Sequence, residues 1–281
     1  MKNLIAVLFS VMLCGAVAAQ LSAQDKASPI MPEYIRNARI GLVLTPMIVT
    51  QQGSYNATCN CPEFRDGTGG GFLAGVTYEP TSTSNFVFGG MAGIESRNIT
   101  ARYKLLEEFT FSSTTSSGQV FNKIPITARH ESNASINTIF AMPFLKYFPF
   151  YNSLYLYAGA QAGYIYSAMY DHVIYVDDGV LRLPDGTTNR LGVDNDVIRS
   201  RGQELVSSNG ARVESSTFPS INRFQFGMMA GFGAEIRLSR RFYFVPTLTY
   251  NLQFIPISAN TIGFRMSSIN ALLEVQYILS L

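Results

Sequence analysis

Few residues in this chain of 281 have types and spacing that could do chemistry. Cys59 and Cys61 stand in TCNC, two positions apart. A Cys-x-Cys disulfide closes a small strained ring, because bridged Cα atoms usually lie about 4.4–6.8 Å apart. A loop disulfide is the first reading, free thiols the second, and a metal site the third, since a metal would need further ligands that this loop does not obviously supply. Asp171-His172 has the make-up of an acid–base dyad at the end of a strand, but no nucleophile stands at a fixed spacing from it. His130-Glu131 is equally plain, and both histidines read as solvated rim or loop residues. Asp177-Asp178 and Asp194 with Asp196 match no calcium-loop spacing. No catalytic residue, cofactor or metal ligand is therefore assigned, and the expectation is a protein that is not an enzyme. What remains is Glu235 and Arg237, set two apart in QFGMMAGFGAEIRL.

That stretch alternates strictly. Phe226, Met228, Ala230, Phe232, Ala234, Ile236 and Leu238 share one parity, while Gln225, Gly227, Gly231, Gly233, Glu235 and Arg237 share the other. Successive side chains of a strand point to opposite faces, so this is a β-strand with one apolar and one glycine-and-charge face. Seven further segments alternate in the same way: 39–49, 71–79, 86–97, 136–148, 154–167, 242–254 and 269–281. Their lengths suit tilted membrane strands, which need about 9–11 residues. The connections are short after the second, fourth and sixth segments. Polar connections, most of them long, follow the others, at 50–70, 98–135, 169–222 and 255–268. Short turns on one rim and longer loops on the other are the habit of outer-membrane barrels. Within the loops, HVIYVDDGVLRLPDG predicts a hairpin about an Asp-Gly turn, so that the fifth strand runs on past the bilayer. KIPITARHE predicts something similar ahead of the fourth, and 123–132 could raise the strand count to ten. No structure is predicted for 190–216.

The export signals agree with this. MKNLIAVLFSVMLCGAVAAQ pairs an early lysine with a short apolar run and small residues, the form of a secretory signal. Residues 1–19 are read as that signal, with cleavage possible as late as 23, then 20–38 as a periplasmic lead and 39–281 as one barrel domain. Charged residues are 14% of the chain, against about 25% in ordinary soluble proteins, so a large charged surface is missing. A net charge of +2 gives no reason to expect nucleic acid as a partner.

The charges of the eight segments all fall on one parity: Arg39, Glu79, Glu95, Arg97, Lys146, Glu235, Arg237 and Glu274. Glycines 41, 75, 89, 93, 159, 163, 227, 231 and 233 share it. The other parity carries none, as lipid demands, since an Arg or Lys at the bilayer midplane costs about 2–4 kcal/mol. A soluble lipocalin-type barrel or sandwich would instead bury the apolar parity, and its surface would then be unusually poor in charge. The predicted interior is an ion network of those eight residues, filling a barrel wide enough only for side chains, with a gate as a further possible role. Phe148, Tyr151, Tyr155, Phe242 and Phe244, near the short turns, are expected to form an interfacial girdle.

INTIFAMPFLKYF with LYLYAGAQAGYIYS, and FGMMAGFGAEIRLSRRFYFVPTLTYNL, resemble the PorT-like outer-membrane β-barrel family, similar in architecture to small OmpX- and OmpA-type barrels. The resemblance covers most of 39–281 and departs at the C-terminus, where QYILSL replaces the family's usual aromatic ending. It implies an all-β, eight-stranded antiparallel up-and-down transmembrane barrel in the bacterial outer membrane. Termini and short turns would be periplasmic and the long loops extracellular. Its partners would be outer-membrane lipid, the barrel-assembly machinery, and a protein or surface ligand at loops 98–135 and 169–222. The expected function is interaction, envelope structure or an accessory part in protein export; the alternative is a narrow gated pore for small solutes or ions.

Overall fold

Period-two alternation makes each segment extended, and an extended segment must pair its backbone N–H and C=O groups with neighbours. In the computed structural model eight strands do so by closing into a ring. The structure describes residues 37–56, 63–80, 85–109, 113–114, 120–121, 124–149, 153–176, 180–182, 188–190, 204–207 and 210–280. The expected signal region, nearly all of the expected lead, Cys59 and Cys61, Tyr151, Asp194 and Asp196, and the expected Asp-Gly turn at 177–179 lie outside the described residues.

The ring strands are β1 (Asn37–Ser54), β2 (Thr68–Pro80), β3 (Phe86–Phe109), β4 (Ile124–Tyr147), β5 (Leu154–Val176), β6 (Phe224–Ala234), β7 (Phe242–Gln253) and β8 (Ile262–Ser280). Each pairs antiparallel with the next, and β8 pairs with β1 to close the barrel. Closure leaves no sheet edge around the wall, so the backbone is satisfied without water. All eight predicted segments lie in this ring, and the fold is an eight-stranded antiparallel up-and-down barrel.

Three loop expectations change. The stretch 124–132 adds no ninth and tenth strand to the ring; it prolongs β4, which runs beside β3 from Tyr147↔Phe86 out to Ile124↔Phe109. The fifth strand does continue to Val176, but its outer end pairs with β4 and with Gly210–Thr217. Val180–Arg182 pairs instead with Thr188–Arg190, not with 172–176 as the Asp-Gly hairpin required. The region 190–216 contains two strands, Glu204–Ser207 and Gly210–Thr217. Their pattern was illegible because a strand beyond the apolar belt no longer needs one face to be greasy. The result is a sheet that rises from one side of the barrel above its loop-end rim.

Alternation then sorts the side chains. Leu42, Leu44, Phe88, Ile139, Leu156, Phe226, Met228, Phe232, Ile269 and Val275 point outward and are exposed. The opposite parity is packed inside. Glycines give that interior its room. Gly41 lies between Thr77 and Gln276 in the ladder. A Cβ there would overlap the Glu274 carboxylate and the Thr77 hydroxyl, which meet across it. A Cβ at Gly233 would meet the Tyr155 hydroxyl at 2.5 Å. Gly41→Ala is therefore expected to destabilise the barrel by about 1–3 kcal/mol, as overpacking does, measured as a lower urea midpoint in detergent. An unchanged midpoint would mean that the Glu274–Thr77 contact is not there.

Candidate functional site: the charged interior

The inward parity of the strands near the short-turn rim delivers a floor of polar groups. Arg39 comes from β1, Thr77 and Glu79 from β2, Lys146 from β4 and Tyr155 from β5. Glu235 follows β6, and Glu274 and Gln276 come from β8. Lys146 is 1% exposed and ion-pairs with Glu79, with Glu235 Oε1 3.9 Å away. Arg39 donates to Glu235 at 2.7 Å and lies over the Tyr243 ring at 4.4 Å. The Gln276 amide donates to Glu79 at 2.7 Å and to Glu274 at 2.9 Å, and the Thr77 hydroxyl donates to Glu274. Tyr155 and Thr247 share a hydrogen bond beside Lys146. Charges removed from water are tolerable only when paired and hydrogen-bonded in this way.

A second layer sits further along the barrel. Arg97 donates to Glu95 at 2.8 Å and to the Met266 carbonyl at 2.8 Å. The Gln161 amide donates to Glu95 at 3.2 Å and accepts from Asn251. Both ions of this pair are buried.

Seven of the eight charged residues singled out by parity thus face the interior: Arg39, Glu79, Glu95, Arg97, Lys146, Glu235 and Glu274. Arg237 is the correction. It is exposed at the β6–β7 turn and donates to the Ser239 carbonyl at 3.1 Å. Its parity is inward, but the wall ends there, so the side chain meets solvent. Tyr155 is a second correction. It was expected in the outer girdle, yet it is 2% exposed and inside, because 155 has the inward parity of β5. Phe148 likewise packs on Tyr155, ring centroids 5.4 Å apart, whereas Phe242 is in the outer position as expected, with Tyr277 beside it, and Phe86 and Tyr147 join it on another pair of strands.

The largest miss concerns the histidines. His130 and His172 are both fully buried, with Nδ1 of the first 3.0 Å from Nε2 of the second. Tyr103 stacks on His130 at 4.6 Å and Phe64 meets His172 edge-on at 5.1 Å. Tyr55, Tyr170, Phe218 and Phe264 extend this aromatic plug at the loop end. Simple parity hid it. The ladder slips where Asn137 pairs with Ser167 but Thr138 pairs with Ile165, so Tyr166 is an extra residue. That bulge turns the inward positions of β5 from odd to even and carries His172 inside. Asp171 consequently faces away and ion-pairs with Arg212 at 2.8 Å, so it forms no dyad with its neighbour. Among the described residues no group of three potential metal ligands converges.

No protein-family model and no curated protein matches the chain, so the PorT-like pattern remains a resemblance. Solved structures do match. Neisserial surface protein A is 10% identical, covering 85% of this chain and 96% of that one, with a TM-score of 0.34. The outer membrane protein AlkL, in lipid bilayers, is 13% identical, covering 92% and 97%, at 0.40. The outer membrane protease OmpT from Escherichia coli is 9% identical, covering 89% and 99%, at 0.32. Likenesses this distant carry nothing about activity, and the fold rests on the strand pairing itself.

Two outcomes follow from this interior. Lys146→Met strands Glu79 without its cation and is expected to cost about 3–5 kcal/mol, read by urea unfolding in detergent. Burial, then the neighbouring His130, holds the His172 pKa down at about 4, from an ordinary value of 6.5. The unfolded chain therefore binds more protons between those values, so stability from the neutral ring is complete above 6.5 and falls as pH drops toward 4. His172→Gln should flatten that part of the pH–stability curve; a curve identical to wild type would place the ring in water.

Proposed function

We propose that this chain is a non-enzymatic outer-membrane β-barrel that serves interaction, envelope structure or an accessory step of protein export. One observation carries the membrane placement: all eight strands expose large apolar side chains outward in one continuous belt that holds no charge. Charged outward residues begin only beyond it, at Arg102 and Glu131 toward the loops and at Arg240 and Arg241 toward the short turns. From Phe242 to Tyr250 or Phe254 along β7, at roughly 3.4 Å per residue and about 40° tilt, the belt is about 21–31 Å tall. That matches the hydrocarbon of a bilayer. Large exposed apolar area on this scale mixes poorly with water and fits lipid as the partner.

In this reading the short turns and termini are periplasmic and the outer sheet of β3, β4, β5 and Gly210–Thr217 stands outside the cell. A polar groove of about 410 Å³ lined by Glu63, Arg65, Asp66 and Arg102 supports recognition of a surface ligand at that end. A gated pore is the second reading, favoured by one distance. Lys146 pairs with Glu79 but lies 3.9 Å from Glu235, so a small shift exchanges its partner.

The chain has no tryptophan, so an introduced one reports alone. Phe226→Trp and Leu42→Trp should be strongly quenched by brominated lipid, and Tyr243→Trp, facing inward, should not. Equal quenching at all three positions, or a compact monomer stable without detergent, would overturn the placement. Conductance in a planar bilayer separates plug from pore: Glu235→Gln should leave a plug silent and open a gate measurably.

A further inference from the structure

The floor cluster is short of positive charge. Among the described residues, Arg39 and Lys146 face three carboxylates: Glu79, Glu235 and Glu274. Arg39 and Glu235 pair on the solvent side, with side chains 20% and 11% exposed. The deep part therefore holds Lys146 against both Glu79 and Glu274, which are 1% and 4% exposed. Lys146 pairs with Glu79. Glu274 makes no ion pair among the described residues; its Oε1 accepts from neutral donors, the Thr77 hydroxyl and the Gln276 amide. The same Gln276 Nε2 donates to Glu79 Oε1, so one amide ties the two carboxylates together. Two like charges held that close and sealed from water repel strongly.

Two buried oxygens beside them are also unsatisfied. Glu79 Oε2 has no hydrogen-bond partner among the described residues, and neither has the Tyr157 hydroxyl. Tyr157 is 4% exposed and lies opposite Lys146 in the β4–β5 ladder, so it projects into the same chamber. Buried polar groups are rarely left so, and an orphan in a native protein points to something that completes it.

The geometry points to a site for one monovalent cation, a proton or a desolvated alkali ion, held between Glu79 and Glu274 on the barrel floor. The charge deficit is a single unit, which suits a monovalent species. The donors are all oxygen, which suits a hard one. Every other strand leaves the site without a competing cation. β3 presents Val87 and Gly89, and β5 presents Tyr155 and Tyr157. β6 brings Gly233 and then Glu235, β7 presents Tyr243, Val245 opposite Glu274, and Thr247, and Arg39 of β1 is committed to Glu235. The site goes beyond the proposed function: it holds whether the barrel is sealed or gated and does not depend on lipid outside.

The test uses the full barrel refolded in detergent. Its urea midpoint is measured in sodium, potassium and choline chloride at one ionic strength, from neutral to alkaline pH, above the range in which His172 acts. A midpoint higher in sodium or potassium than in choline identifies an alkali ion. A midpoint that rises equally in all three salts as pH falls identifies a proton. In either case Glu274→Gln balances the charge, so its midpoint should lose that dependence and match or exceed wild type in choline at alkaline pH. Glu79→Gln should lose it too, which guards against one variant failing to fold. A wild-type midpoint indifferent to both cation and pH would overturn the site, as would a dependence that survives unaltered in both variants.

Discussion

A charge sealed inside a closed ring of strands has to be answered from within that ring. Everything particular about this barrel follows from that constraint. Closure of β8 on β1 removes water from the inward face. The interior carboxylates, Lys146 and the two inward arginines must then find partners across it. The answer comes in two layers. One joins β1, β2, β4, β6 and β8 near the short turns, and the other joins β3, β5, β7 and β8 further along. Because partners come from strands distant in sequence, each layer ties the circumference together. The pairs add little net stability, since the desolvation of two ions nearly offsets their attraction.

Glycine is the other half of the same constraint. The eight-stranded wall encloses only side-chain volume. The long Arg97 side chain fits because its β2 neighbour in the ladder is Gly71. Gly41 lets Glu274 reach Thr77, and Gly233 leaves a place for the Tyr155 ring. At the loop end the packing changes character. Ion pairs give way to stacked aromatic rings around the histidine pair, a closure that excludes water by area rather than by charge. The interior is thus filled at one end by a polar floor and at the other by packed aromatic rings. Outside the plug the sheet carries ordinary exposed ion pairs such as Arg102–Glu131 at 2.7 Å.

Legibility in the sequence tracked the distance from the apolar belt. Where one face met the belt and the other the interior, as in 226–234 or 269–275, a period of two was enforced on every residue and could be read directly. Past the belt that pressure ends. Gly210–Thr217 forms a strand that alternation does not announce, whereas the outer run of β4 was legible in KIPITARHE. Arg237 has the right parity and the wrong height, because parity says which way a side chain points and not where the wall stops.

By itself, the amino-acid sequence determined the eight strands, their two faces and the sorting of charge onto one of them, because strand geometry and the cost of a charge on an apolar face act residue by residue. Tertiary structure alone decided which carboxylate meets which cation, and that a single extra residue at Tyr166 buries His172 beside His130. Those outcomes depend on register around a closed ring, where a one-residue slip in one strand resets every partner across the lumen.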